Sequence, residues 1–205
     1  MAYQRKDTFY ARAKQAGYRS RAAYKLLELA RRYSLIEPGQ RVVDLGAWPG
    51  SWLQVAAQLT GPRGAVVGVD LEPIEPLSGP VTTIAGDARD AVVQEQIRTR
   101  CGGRVDVLLS DMAPKLSGVR DRDIAQAMAL AESALAIADR LLAPGGRLLV
   151  KLFTTPETDG VVAAARRRFR TVKRTRPDAT RKGSAELYLV CLDFRGAPGA
   201  AAHQG

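Results

Sequence analysis

The chain is poor in cysteine and has no long apolar segment. Its 205 residues include only two cysteines, Cys101 and Cys191, which make neither a disulfide framework nor a metal site. Cys191 lies in an apolar run, so we expect it in the core. The N-terminal segment lacks the apolar stretch of a signal peptide, and no run approaches the roughly 18 apolar residues of a membrane helix. We therefore predict a cytoplasmic protein without a bound metal or a membrane partner.

The sequence also lacks two common phosphate-binding fingerprints. Its glycine loop, Gly46-Ala47-Trp48-Pro49-Gly50, has the spacing Gly-x-x-x-Gly and not the dinucleotide pattern Gly-x-Gly-x-x-Gly. It also lacks the Gly-Lys-Ser/Thr of a phosphate loop. Asp44, just before the loop, adds a negative charge that would disfavour a polyphosphate. The loop therefore favours a cofactor that has no phosphate and carries a positively charged sulfonium.

Positive charge, in contrast, is abundant and concentrated in two segments. The formal net charge is +10. Residues 1–41 hold ten Lys or Arg against three acids, and residues 166–182 hold nine against one, so these segments are net +7 and +8 and the remainder is net −5. Such a local excess is typical of a nucleic-acid-binding surface, although a solvated helix face shows it too. Tyrosine and phenylalanine among the N-terminal basic residues are suited to stacking on unpaired bases.

Apolar strand patterns alternate with helical patterns along most of the chain. They predict a basic arm over residues 1–19, one domain over 20–195 and a disordered tail over 196–205. Ser20 is the predicted cap of the first helix. The alternation predicts an α/β protein with a doubly wound, mostly parallel sheet whose last two strands pair antiparallel. We predict helices ending near residues 33, 59, 100, 142 and 169, and strands at 41–45, 65–69, 81–84, 105–109, 147–150, 170–174 and 186–194.

Acidic residues lie at the ends of three successive predicted strands. Asp44 is the penultimate residue of the first strand, Asp70 comes directly after the second where such folds bind a ribose diol, and Asp87 lies just beyond the third, where it could bind an adenine amino group. Each acid alone is more often a cap or a turn residue. As a set behind a glycine loop they predict a nucleoside-containing cofactor. Trp52 could wall this pocket, although a tryptophan on a helix face is more often a core residue.

Four short blocks, together with the glycine loop, give the chain a family resemblance. It resembles the FtsJ-like ribosomal RNA 2′-O-methyltransferases from about Ser20 to Phe194. Each block alone is weak evidence, whereas four in order form a specific signature. The blocks are Ser20-Arg21-Ala22-Ala23-Tyr24-Lys25-Leu26, Ser110-Asp111-Met112-Ala113-Pro114, Val150-Lys151-Leu152-Phe153 and Ser184-Ala185-Glu186-Leu187-Tyr188.

This resemblance implies a fold, a cofactor and a set of site residues. The fold is a Rossmann-like methyltransferase fold, a mostly parallel seven-stranded sheet with one antiparallel strand, and the cofactor is S-adenosylmethionine. The implied catalytic tetrad is Lys25, Asp111, Lys151 and Glu186. The implied cofactor-binding residues are Gly46, Gly50, Trp52, Asp70, Asp87 and Asp111. The glycine loop departs from the family pattern at Trp48, where a small residue is usual, and at Ser51, where glycine is usual.

The predicted topology brings the tetrad to one edge of the sheet. Asp111 and Lys151 end parallel strands and Glu186 begins an antiparallel strand, so the three meet, and Lys25 reaches them from the first helix. We expect Asp111 and Glu186 to position Lys151 and Lys25 to shape the local field. Methyl transfer to a hydroxyl requires alignment of the oxygen and management of one proton. The residues leave open whether Lys151 is a general base or an ammonium that orients the hydroxyl.

The expected substrate is RNA, bound by basic segments that flank the crevice. The resemblance implies a monomer that methylates a uridine in the A-loop of 23S ribosomal RNA in the large ribosomal subunit. Methylation of tRNA is an alternative. A non-catalytic RNA-binding or ribosome-assembly factor on this scaffold is another, and the intact tetrad argues against it. The two basic segments argue against a small-molecule methyltransferase.

Overall fold

The computed structural model describes residues 8–114, 117–181 and 183–197. Six helices and seven strands are formed by these residues. The helices are α1 Thr8–Gln15, α2 Ala23–Tyr33, α3 Ser51–Thr60, α4 Ala91–Cys101, α5 Arg120–Leu141 and α6 Thr158–Arg166. The strands are β1 Arg41–Leu45, β2 Ala65–Asp70, β3 Val81–Ala85, β4 Val105–Ser110, β5 Leu142–Phe153, β6 Phe169–Thr175 and β7 Glu186–Phe194.

The strands form one seven-stranded sheet in the order β3-β2-β1-β4-β5-β7-β6. β1 to β5 pair in parallel, whereas β7 is antiparallel to both β5 and β6. The predicted fold, a mostly parallel sheet with one antiparallel strand, is therefore confirmed. Because of these strand directions, the carboxyl ends of β1, β2, β4 and β5 lie at the same edge of the sheet as the start of β7.

Helices cover both faces of the sheet. Neighbouring apolar residues of a strand point to opposite sides, so each face has apolar side chains to bury. Val42 packs on the face covered by α2 and α3, whereas Val43 packs on the face covered by α4, α5 and α6. The same alternation occurs at Val107 and Leu108 in β4. Cys191 is fully buried, as its apolar run predicts.

Three local predictions differ from the structure. Helix α2 begins at Ala23 and not at Ser20, whose hydroxyl bonds to Ser51 and accepts the N–H of Ala22. The predicted break between the helix ending near residue 142 and the strand at 147–150 is instead part of β5, where the register with β4 shifts. Helix α6 ends at Arg166 because Phe169 joins β6 and packs on Phe194, with ring centroids 5.2 Å apart.

The N-terminal segment is partly helical. Helix α1 lies inside the predicted basic arm and contacts α2 through the rings of Phe9 and Tyr24, whose centroids are 5.8 Å apart. Residues 1–7 of the arm and 198–205 of the predicted tail lie outside the described residues. Within the described ranges, no helix is long and apolar enough to cross a membrane. In the same part of the chain, no group of three or more His, Cys, Asp or Glu is placed to hold a metal ion.

Candidate active site

Lys151 and Asp111 form an ion pair at the shared edge of the sheet. Ser110 pairs with Val150 across β4 and β5, which places the next residue of each strand side by side. The Nζ of Lys151 lies 3.1 Å from Oδ1 of Asp111 and donates to the backbone oxygen of Asp111 at 2.5 Å. The Lys151 side chain is only 8% exposed, so this ammonium is held in a mostly dry site by two oxygens of one residue.

A second ion pair lies at the same edge, between Lys25 and Glu186. Lys25 on α2 precedes Leu26, which is fully buried against the sheet, and its Nζ donates to Oε1 of Glu186 at 2.5 Å. The carboxylate of Glu186 is therefore bound by Lys25, and the expectation that Glu186 also positions Lys151 stays a prediction. The four tetrad residues do meet, but as two lysine–carboxylate pairs.

Tyr188 connects these two pairs, a role that the sequence did not reveal. Its hydroxyl donates to Oδ1 of Asp111 at 2.8 Å, and its ring lies beneath Lys25, with Nζ 5.8 Å from the ring centroid. Burial raises the pKa of Tyr188 well above its usual range, and the charges of Asp111 and Glu186 raise it further. The hydroxyl therefore stays protonated and serves as a donor.

A cavity of about 350 Å³ opens beside Asp111, at the ends of β1, β2 and β4. This volume lies in the range of pockets that bind small organic ligands. Four of the six predicted cofactor-binding residues line it, namely Gly46, Asp70, Asp87 and Asp111. Trp48 of the glycine loop also lines the cavity, as do Met112 and Arg89, which no sequence pattern marked as cofactor-binding residues.

Gly46 is required by its surroundings. Its φ is +76°, and a Cβ there would lie 2.9 Å from Cγ of Met112. A side chain would therefore be strained in its backbone and would collide with the residue after Asp111. Glycine at this position lets the loop approach the wall of the cavity closely.

The two acids that line the far part of the cavity already have local partners. Asp70 accepts the N–H of Trp48 through Oδ2 at 2.9 Å and the N–H of Glu72 through Oδ1 at 3.0 Å. Asp87 binds the guanidinium of Arg89, which lowers the pKa of Asp87. Each carboxylate oxygen of Asp70 accepts one hydrogen bond, which leaves room for a ligand hydroxyl, whereas each oxygen of Asp87 already accepts two from Arg89.

Gly50 and Trp52 lie outside the residues that line this cavity. Gly50 has a φ of +104°, and a Cβ there would lie 2.8 Å from Nη1 of Arg19. Trp52 is 2% exposed and donates its indole N–H to the backbone oxygen of Ala22 at 2.8 Å, so it packs beneath the N-terminal segment. Their predicted contacts with a cofactor stay predictions.

Arg19 ties the glycine loop to the next loop along the sheet edge. Its guanidinium donates to the backbone oxygens of Pro49, Glu75 and Pro76, at 2.9, 2.9 and 2.7 Å. The positive φ of Gly50, +104°, is what requires glycine at this position, and Arg19 occupies the space beside it. No sequence pattern marks an arginine that binds backbone carbonyls, so this contact was not predicted.

Asp44 is buried beneath the cavity. It is 1% exposed, and neither carboxyl oxygen has a hydrogen-bond partner among the described residues. Burial raises the pKa of Asp44 well above its usual range, and the charges of Asp111 and Asp70 raise it further. A cationic group in the cavity would favour the ionised form, because an opposite charge offsets the cost of burial.

The second basic segment does not lie on one side of the crevice. Phe169 pairs with Phe194 at the far end of β7, and this nine-residue strand spans about 26 Å from Glu186. The expectation that this whole segment flanks the crevice is therefore wrong for residues 166–168, which precede Phe169. Arg168 also binds Asp139 at 2.9 Å. The loop 176–185, in contrast, joins β6 to β7 at the tetrad edge.

The sheet order, the cavity at the strand ends and the charged residues beside it define the class of Rossmann-like methyltransferases. Comparison with known proteins narrows the class. The family profile described as FtsJ-like methyltransferase matches residues 18–194, and the chain belongs to this family. The resemblance inferred from the four sequence blocks is thus confirmed.

Relatives with assigned names agree with this family. The chain is 51% identical over 191 residues to the "Ribosomal RNA large subunit methyltransferase E" of Methanoculleus marisnigri, with 93% of each chain covered. It is 44% identical over 191 residues to the protein of the same name from Acidithiobacillus ferrooxidans, with 93% of this chain and 87% of the relative covered. A crystal structure from Plasmodium falciparum, described as a ribosomal RNA methyltransferase, superposes with a TM-score of 0.77 at 28% identity and covers 87% of this chain and 100% of the other.

Proposed function

We propose that this protein transfers a methyl group from S-adenosylmethionine to a ribose 2′-hydroxyl of large-subunit ribosomal RNA, at a uridine of the A-loop. The observation that carries the proposal is the Lys151–Asp111 pair, with Asp111 also lining the cavity. Asp111 thus contacts both the cavity proposed for the cofactor and Lys151, the lysine proposed to bind the acceptor hydroxyl. The names of the relatives support ribosomal RNA as the substrate.

The residues around the cavity fit S-adenosylmethionine. Asp70 and Asp87 offer carboxylates for a ribose diol and an adenine amino group, as such folds use them. The buried carboxyl of Asp44 has no hydrogen-bond partner among the described residues, and a positively charged ligand would favour its ionised form. When bound, S-adenosylmethionine supplies an activated methyl group on a sulfonium.

Lys151 is the group that we assign to the acceptor hydroxyl. A lysine ammonium has three donors; one is hydrogen-bonded to the backbone oxygen of Asp111, and the ammonium also forms an ion pair with Oδ1 of the same residue. A further donor is available to the 2′-oxygen, which it would orient and whose developing negative charge it would stabilise. In this assignment the hydroxyl proton would leave to water as the oxygen–carbon bond formed and the carbon–sulfur bond of the sulfonium broke, with its electron pair left on sulfur. Lys25 and Glu186 border the same place, and Tyr188 fixes Asp111.

RNA would bind along the tetrad edge. Arg176 and Arg181 are exposed in the loop that leads to Glu186, and Arg31 is exposed on α2, which carries Lys25. Arginine at such positions contacts phosphates, and the charge of the first segment extends the same surface. We further propose that the protein acts as a monomer in the cytoplasm, where it would meet the large subunit.

The decisive experiment offers labelled S-adenosylmethionine and three acceptors: unmethylated large ribosomal subunits, naked ribosomal RNA and total tRNA. Label mapped to a ribose 2′-oxygen of a uridine in the subunit is the expected result. Label on tRNA alone would retain the chemistry and change the substrate. Binding of the cofactor with no label on any acceptor would favour the non-catalytic assembly factor.

A further inference from the structure

Trp48 is an exposed aromatic residue at the mouth of the cavity. Its side chain is 60% exposed, and the residue lines the cavity together with Asp70 and Leu71. It belongs to neither apolar cluster of the core, and within the described ranges its ring has no aromatic partner. A single exposed apolar side chain is ordinary on protein surfaces, so its position is what matters here.

The backbone holds Trp48 in place. The N–H groups of Gly46 and Ala47 both donate to the backbone oxygen of Val69, at 2.9 and 3.1 Å. The N–H of Trp48 itself donates to Oδ2 of Asp70 at 2.9 Å. The indole is therefore attached to a point fixed against the end of β2, next to the carboxylate to which we assign the cofactor ribose.

From this placement we propose that Trp48 is a cofactor-binding residue, whose indole packs on the adenosine portion of S-adenosylmethionine and covers the mouth of the cavity. The proposal rests on the function proposed above. The indole would provide a stacking contact and a partial cover over the nucleoside. An indole ring and a purine ring stack favourably because both present flat π-faces.

A base of the RNA substrate is the competing partner for this indole, and the charge of the cavity disfavours it. The lining includes four carboxylates, Asp70, Glu72, Asp87 and Asp111, against one guanidinium, that of Arg89. Such a cavity repels a phosphate backbone but accepts a nucleoside that carries no phosphate. The positively charged part of S-adenosylmethionine would be favoured there as well.

Tryptophan fluorescence tests the proposal directly, because the chain has only two tryptophans and Trp52 is buried. S-adenosylhomocysteine, adenosine and L-methionine would be titrated into the wild-type protein and into the Trp48→Phe variant, which keeps Trp52. We expect S-adenosylhomocysteine and adenosine to change the emission saturably in the wild type but not in the variant. L-methionine should leave the emission unchanged.

Calorimetry provides the matching binding measurement. Trp48→Ala should weaken S-adenosylhomocysteine binding about ten-fold, as expected for loss of one stacked base. Val92→Ala, which removes an equally exposed apolar side chain on α4 outside the cavity, should bind as the wild type does. These variants alter exposed side chains, so we expect all of them to fold.

The outcomes separate this inference from the proposed function. If calorimetry shows S-adenosylhomocysteine binding but Trp48→Ala leaves the affinity unchanged, or the emission change persists in Trp48→Phe, the assignment of Trp48 is overturned alone. A Trp48 emission change produced by RNA and not by adenosine would assign the indole to the substrate and would also overturn it. Failure of the wild type to bind S-adenosylhomocysteine would overturn the proposed function and this inference together.

Discussion

Lys151 and Tyr188 face each other across β5 and β7, and both reach the same oxygen atom. They are directly paired in the antiparallel register. Oδ1 of Asp111 accepts the hydroxyl of Tyr188 at 2.8 Å and lies 3.1 Å from Nζ of Lys151. Tyr188 therefore restricts the position of the carboxylate that holds Lys151. It is a positioning residue, because it acts on the acceptor hydroxyl only through Asp111 and Lys151.

The first prediction concerns Tyr188→Phe. The ring keeps its packing on Trp52, but the hydrogen bond to Asp111 is lost, at a cost of about 1.5 kcal/mol or more for a charged acceptor. We expect kcat to fall about ten-fold, while the Kd for S-adenosylhomocysteine and the KM for RNA stay within about two-fold. Equal changes in all three constants, or a loss of activity that follows a loss of folded protein, would contradict a positioning role.

Lys151→Ala tests the central residue of the proposed mechanism. Removal of this ammonium should reduce methyl transfer by at least about a hundred-fold, as loss of a donor to a developing oxyanion does. Lys151 does not line the cavity, so S-adenosylhomocysteine binding should be unchanged by calorimetry. Lys151→Arg keeps the positive charge but alters the donor geometry, so it tests whether charge alone is sufficient. We expect this variant to be impaired as well. Wild-type turnover in the alanine variant would refute the assignment.

Asp44→Asn tests the buried carboxyl through the pH dependence of stability. Because the pKa of Asp44 is raised, the ligand-free folded state binds a proton that the unfolded state releases. This contribution stabilises the fold below the ordinary carboxyl pKa and is lost as pH rises through the raised value. The asparagine variant does not titrate, so the Tm difference between it and the wild type should shift in favour of the variant as the pH rises above the ordinary carboxyl pKa of about 4.

The same variant should bind S-adenosylmethionine more weakly at neutral pH, because it cannot supply a negative charge beneath a cationic ligand. Higher stability together with weaker binding is the expected combination. Parallel Tm profiles for the two proteins would show that Asp44 has an ordinary pKa in the folded state.

The sequence predicted correctly which residues meet at the ends of strands. It did not predict contacts that depend on how far a long side chain extends. Asp111 and Lys151 end neighbouring parallel strands, so any sheet of this order brings them together. The partner of Glu186 depended on how far a lysine on α2 extends over the edge, which no pattern encodes. Arg19 binds backbone carbonyls that only the folded loops bring together.

Composition also could not predict where along β6 the arginines of the second basic segment lie. A count over residues 166–182 treats all the arginines alike, but β6 separates them by its full length. The register of β6 with β7 was needed to show which of them approach the tetrad.

This separation gives the last prediction, two double variants that remove equal charge. Arg176→Gln with Arg181→Gln alters exposed residues of the loop at the tetrad edge, whereas Arg166→Gln with Arg167→Gln alters exposed residues at the opposite edge. If RNA binds over the tetrad, the first pair should lower the slope of log K against log salt by up to about 1.4 for single-stranded RNA. The second pair should leave that slope unchanged. Equal effects would mean that the segment binds RNA along its whole length, and an effect of the second pair alone would place the RNA away from the tetrad.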